Sequence, residues 1–128
     1  MNSIASGIDL VEIDRFRSID PKIRARFLKR VFTVEELKSA ANENTHLAGK
    51  FAAKEAAAKA LGCGIGVVSW QDLEILSDNL GRPILILHGP AIMRANEAGW
   101  IHCSISISHT STHAVASATA LIELPDLH

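Results

Sequence analysis

The chain has 128 residues, 48% of them hydrophobic and 21% charged, with a formal net charge of −1. That length suits one domain, read as residues 1–128, with a single sizeable core. A charge near zero gives no global attraction to nucleic acid, no apolar run reaches the length of a membrane span, and the start Met1-Asn-Ser-Ile-Ala-Ser6 lacks a signal-peptide layout. Two cysteines, Cys63 and Cys103, set no disulfide framework. Two free thiols in a reduced, cytoplasmic protein is the simplest reading, with a bridge between them left open.

Residues 4–11 read as a first strand, with Ile4, Ile8 and Leu10 on one side and Gly7, Asp9 and Val11 on the other. Asp9 stands out there, because Asp is depleted in strands. Residues 12–19 read as a short helix. Asp20-Pro21 supplies an N-cap and a proline at the first helical position, opening a helix through Arg30. Thr33-Val-Glu-Glu36 matches a capping box whose helix ends near Asn42. A polar loop over 42–45 leads to a helix over 47–61, rich in alanine and stopped by Gly62. Runs at 73–76 and 83–87 flank a turn-rich stretch and read as a hairpin. Gly89-Pro90 opens a short helix that Gly99 closes. Ile101, Cys103, Ile105 and Ile107 then alternate with His102, Ser104, Ser106 and Ser108 in a half-buried strand, and 114–124 return as the last one. The order β-α-α-α-β-β-α-β-β predicts an α+β fold: an antiparallel sheet with packed helices.

The 47–61 helix carries the first candidate chemistry. Helical spacing puts Ala48, Phe51, Ala52, Glu55 and Lys59 on one stripe expected to face inward. A buried carboxylate needs a cation, so Glu55 either pairs with Lys59 one turn on or joins Asp9 in holding a metal. Two oxygen ligands from a strand and a helix suit Mg²⁺, which takes few carboxylates and completes its shell with water and phosphate. Spacing leaves both readings open, and the ion pair is the commoner arrangement.

Ser106-Ile-Ser-His-Thr110 brings hydroxyls and an imidazole to a strand end, where they either hold phosphate oxygens or simply form a polar turn. Ser108 and His109 are strand neighbours on opposite faces, which suits no nucleophile–base pair. The glycine loop 62–66 follows a helix instead of preceding one, so it meets the negative helix end and reads as a turn, not a phosphate cradle. Seven of the 13 basic residues, Arg15, Arg17, Lys22, Arg24, Arg26, Lys29 and Arg30, lie in one window whose only acid is Asp20. With no Tyr and no nucleic-acid motif, that window fits an acidic protein partner better than DNA or RNA.

Five segments appear in an order that resembles a known family: Gly7-Ile-Asp-Leu-Val-Glu-Ile-Asp-Arg15, Lys50-Phe-Ala-Ala-Lys-Glu-Ala-Ala57, Gly62-Cys-Gly-Ile-Gly66, Gly81-Arg-Pro83 and Ser106-Ile-Ser-His109. The family is the small bacterial 4′-phosphopantetheinyl transferases, the holo-acyl-carrier-protein synthases, and the likeness runs from Gly7 to about Ala118. It implies transfer of 4′-phosphopantetheine from coenzyme A to a serine of apo-acyl carrier protein in fatty acid biosynthesis, releasing adenosine 3′,5′-bisphosphate. It also implies a homotrimer with coenzyme A in clefts between subunits. By that resemblance Asp9 and Glu55 are Mg²⁺ ligands, and Glu55, Asp9 and Lys59 are the catalytic set. Lys50, Lys59, His109 and Thr110 are coenzyme A contacts. Arg15, Arg26, Phe27 and Arg30 dock the carrier. Lys50 stands where the family often has Arg, keeping the charge but losing bidentate geometry. A non-catalytic module for acidic proteins and another Mg²⁺-dependent phosphate enzyme are the competing classes.

Overall fold

The computed structural model describes residues 1–125. Its elements are β1 (Asn2–Glu12), α1 (Asp14–Arg17), α2 (Pro21–Val31), α3 (Val34–Ala40), α4 (Asn44–Ala60), β2 (Leu73–Ser77), β3 (Pro83–Leu87), α5 (Pro90–Glu97), β4 (Trp100–His109) and β5 (His113–Glu123). A 3₁₀ turn at Trp70–Asp72 precedes β2. Four helices, α1 to α4, stand between β1 and β2 where the predicted order counted three; the remaining elements follow that order, and the architecture is α+β.

Local chemistry explains most boundaries. The Asp20 side chain accepts from the Lys22 amide, with Pro21 at the first helical position of α2. Thr33 and Glu36 form both halves of a capping box on α3. Helix α3 stops early because Ala41 and Asn42 turn left-handed, at φ 50° and 59°. That lets α4 start three residues before the expected 47, taking in part of what sequence assigned to a polar loop. The expected helix over 12–19 survives only as the single turn α1. At its other end α4 closes on Gly62, at φ 75°, whose amide bonds the Lys59 carbonyl at 3.0 Å.

The expected single sheet is two. A three-stranded antiparallel sheet has the order β1-β5-β4, and among the described residues β2 pairs only with β3. In the register Asp9 stands opposite Ala116, which in turn stands opposite Ile107 of β4. A shift in the β4–β5 ladder between Trp100 and His102 takes Ile101 out of the alternation and leaves it 53% exposed.

Helix α4 lies across β1 and β5. Its buried residues surround most of its circumference, and alanines dominate: Ala48, Ala52, Ala53, Ala56 and Ala57 are wholly inaccessible. Facing them, Ala114, Ala116, Ala118 and Ala120 make the inner side of β5. Methyl against methyl lets helix and sheet approach closely. The opposite side of β1 presents Ile4, Ile8 and Leu10 at 69%, 62% and 64% exposure, with Leu121 beside Ile4 in the register. That is a contiguous exposed apolar face. No helix among the described residues is long and apolar enough to cross a membrane.

Candidate active site

Asp9 and Glu55 meet where α4 crosses β1. The Lys59 ammonium donates to the Ile8 carbonyl at 2.8 Å and reaches Asp9 Oδ1 at 3.4 Å. It therefore serves the strand, and the Glu55–Lys59 pair that i, i+4 spacing allows is not formed. Glu55 makes no hydrogen bond or ion pair among the described residues, although it is half-buried. Burial first, and the Asp9 charge second, raise its pKa above the usual carboxylate range, against the pull of Lys59. Like charges held close and partly dehydrated are the environment that a divalent cation relieves. The donor set is oxygen only, and a pair of carboxylates that leaves the rest of the shell to water and phosphate oxygens suits Mg²⁺. Among the described residues, no group of three or more His, Cys, Asp or Glu side chains gathers to hold a metal without such help.

Lys50 and His109 lie elsewhere. Both line a recess of about 260 Å³ with Thr45, His46, Gly49 and Ile75. The Lys50 ammonium donates to the Ile75 carbonyl at 2.6 Å, and desolvation lowers its pKa despite Glu36 and Glu74 nearby. Nine residues along a helix are about two and a half turns, so Lys50 and Lys59 occupy opposite sides of α4. Their recesses share no residue. Thr110 is engaged in the β4–β5 turn, its hydroxyl accepting from the amides of Thr112 and His113 at 3.2 and 3.1 Å.

Sequence spacing did not reveal the buried network beside this recess. Lys54 is completely inaccessible, and donates to Glu36 Oε1 at 2.8 Å, the Trp70 carbonyl at 2.8 Å and the Leu73 carbonyl at 2.7 Å. The other Glu36 oxygen accepts from the Ile75 amide at 2.8 Å. Glu74 accepts from the Thr33 hydroxyl and pairs with His88 Nε2 at 3.0 Å. Those bonds outweigh the upward push of burial, so its pKa is lowered. The available signal was a pair of lysines, Lys50 and Lys54, at i, i+4 in an alanine-rich helix with no acid one turn away on their own stripe.

Of the seven clustered cations, two are committed. Arg17 pairs with Asp14 at 2.6 Å, while Arg24 donates to the Phe16 carbonyl, Asn42 and Asn44 and ties α1 and α2 to the start of α4. Arg15, Lys22, Arg26, Lys29 and Arg30 make no side-chain hydrogen bond or ion pair among the described residues. Arg15 edges an apolar cleft of about 280 Å³ lined by Val11, Phe16, Phe27 and Phe51. Arg26 and Arg30 border an adjoining hollow with Phe27 and Ile23. Val11 and Phe51 stand two residues and one helical turn from Asp9 and Glu55, so the basic surface adjoins the carboxylates. Both cysteines are free, and burial raises the Cys103 pKa to about 11.

Residues 5–118 match the model of the 4′-phosphopantetheinyl transferase superfamily. The holo-[acyl-carrier-protein] synthase of Moorella thermoacetica is 46% identical over 124 residues, covering 94% of each chain. That of Natranaerobius thermophilus is 43% identical over 118 residues, covering 90% of this chain and 94% of the relative. Among solved structures, the Helicobacter pylori holo-[acyl-carrier-protein] synthase in complex with coenzyme A superposes with a TM-score of 0.82 at 30% identity, covering 90% of this chain and 98% of that one. The chain thus belongs to the holo-[acyl-carrier-protein] synthase family of 4′-phosphopantetheinyl transferases.

Proposed function

We propose that the protein transfers 4′-phosphopantetheine from coenzyme A to a serine of apo-acyl carrier protein with Mg²⁺ held by Asp9 and Glu55, serving fatty acid biosynthesis in the cytoplasm. The observation that carries the site assignment is the unpaired, half-buried Glu55 beside Asp9 and Lys59. The family and the coenzyme A bound in the Helicobacter pylori relative support the substrate.

In the reaction a serine oxygen bonds to the phosphorus that bears pantetheine, the bond from that phosphorus to the bridging oxygen breaks, and adenosine 3′,5′-bisphosphate leaves. Mg²⁺, when bound, supplies charge neutralisation on the pyrophosphate. Glu55, directly or through a bound water, takes the serine proton, and burial with the Asp9 charge beside it raises its proton affinity. Lys59, fixed by the Ile8 carbonyl, keeps positive charge beside the phosphates. The five uncommitted cations of α1 and α2 draw in an acidic carrier, and the adjoining apolar cleft gives its docking face a place to seat.

Lys50 and His109 complete the site only if a second copy supplies them. Within one chain they are separated from Asp9 and Lys59 by the body of α4 and by β5, whereas the exposed Ile4, Ile8 and Leu10 face favours association. A homotrimer with coenzyme A in the clefts reconciles the two half-sites.

The test is to incubate the protein with Mg²⁺, coenzyme A and apo-carrier, then weigh the carrier. The phosphopantetheine mass gain is expected for the wild type and absent for Asp9→Ala and Glu55→Ala, both folded by circular dichroism. Arg26→Ala with Arg30→Ala should demand more carrier, with coenzyme A dependence unchanged. Transfer that survives both carboxylate changes, or that needs no divalent ion, would sink the metal assignment.

A further inference from the structure

Gly7 lies on β1 two residues before Asp9, on the same face, opposite Ala118 of β5. Glycine in a strand interior weakens the strand, so its presence needs a reason. Backbone conformation is not the reason, since Gly7 is absent from the left-handed region that Gly62, Gly64, Gly66, Gly81, Gly89 and Gly99 occupy. Space is. A Cβ at position 7 would overlap the carbonyl oxygen of Ala56, and would stand 2.8 Å from Lys59 Cβ and 2.9 Å from the Ala60 nitrogen. Backbone atoms cannot swing aside as a side-chain end can, so here α4 rests directly on the strand. The contact sits between Glu55 and Lys59 on the helix and next to Asp9 on the sheet.

We propose that Gly7 is a positioning residue: by having no side chain it sets the separation of β1 from α4, and through it the gap between the Asp9 and Glu55 carboxylates and the seat of Lys59 on the Ile8 carbonyl. Carbon atoms in van der Waals contact stand about 3.5–4.0 Å apart, so a methyl at position 7 forces the helix back by about 1 Å or more. Mg²⁺ demands near-ideal ligand distances and does not follow such a displacement. The inference rests on the reading of Asp9 and Glu55 as the cation pair.

The experiment compares Gly7→Ala with Ala120→Val, a substitution that overpacks the inner side of β5 at the buried alanine opposite Ala5, away from the carboxylates. Mn²⁺ binding is followed by electron paramagnetic resonance with coenzyme A present, alongside the Mg²⁺ midpoint for transfer and the melting temperature. Gly7→Ala should weaken Mn²⁺ binding about tenfold or more and move the Mg²⁺ midpoint with it, while Ala120→Val lowers only the melting temperature. Ala60→Val, which adds bulk beside the same crossing from the helix side, should shift Mn²⁺ binding in the same direction and decides the matter if Gly7→Ala does not fold. Folded Gly7→Ala with wild-type Mn²⁺ affinity overturns the proposal. So does an equal shift in Ala120→Val, or, where only Ala60→Val folds, an unchanged affinity there. A wild-type protein that binds no Mn²⁺ overturns the cation pair itself, and the positioning role falls with it.

Discussion

An unpaired carboxylate held half out of water beside another acid opposes folding until a ligand arrives, and Glu55 is in that position. Because its folded pKa lies above the ordinary 4.5, the folded chain keeps a proton that the unfolded chain has already released. Apoprotein stability from this group is therefore greatest in acid, and is lost as pH rises from the ordinary value through the raised one. Glu55→Gln should remove that decline and raise the melting temperature of the metal-free protein at neutral pH by a few degrees, while abolishing transfer. A melting temperature that falls instead, with no change in its pH dependence, would contradict the strain assigned to Glu55. Asp9 was legible in sequence because an acid in a strand breaks a rule of composition. Lys54 was not, although it adjoins Glu55, because its acid, Glu36, belongs to a different helix. Spacing along one helix reports neighbours on that helix only.

Among the elements, α4 owes its orientation to more than apolar packing. The Lys54–Glu36 pair and the Lys50–Ile75 bond lock one side of it to α3 and β2, while the alanine side settles on the sheet. Lys54→Met alone leaves Glu36 charged and buried without its cation, and should cost about 3–5 kcal/mol in urea unfolding. Glu36→Gln with Lys54→Met removes both charges while keeping a side-chain acceptor on α3 for the backbone amides that Glu36 serves, and should recover much of that loss. A double variant destabilised by the sum of the two single variants would show that the pair carries no such coupling. Caps made the helices readable: Asp20-Pro21 and Thr33–Glu36 act within four residues. The division into two sheets was unreadable, because hydrophobic alternation marks a strand without naming its neighbour. The same limit applied at Ile101, where one shift in the ladder overrode a clean alternation.

For the whole molecule, the separation of Lys50 from Lys59 gives the clearest test of the proposed sharing of an active site between copies. Under the proposed homotrimer, Lys50→Ala and Lys59→Ala proteins, each crippled alone, should regain transfer when unfolded together and reassembled, because clefts shared between copies would in some mixed assemblies draw both lysines from unaltered chains. Mixtures no more active than their components would place the whole site within one chain. Sequence resemblance carried the list of site residues, but no periodicity could say that they fall into two groups across the helix. The alanine-lined contact of α4 with β5 also bears on how the enzyme behaves. Alanine has no χ angle, so docking these surfaces freezes no side-chain rotamers and leaves no alternative set to switch into. The helix carrying Glu55 cannot swivel by repacking its sheet-facing side. In the proposed docking mode, adjustment to a carrier's shape thus falls to Phe27 and Phe51, which stay partly exposed while Phe16 is buried, and whose rings meet at a tilted angle.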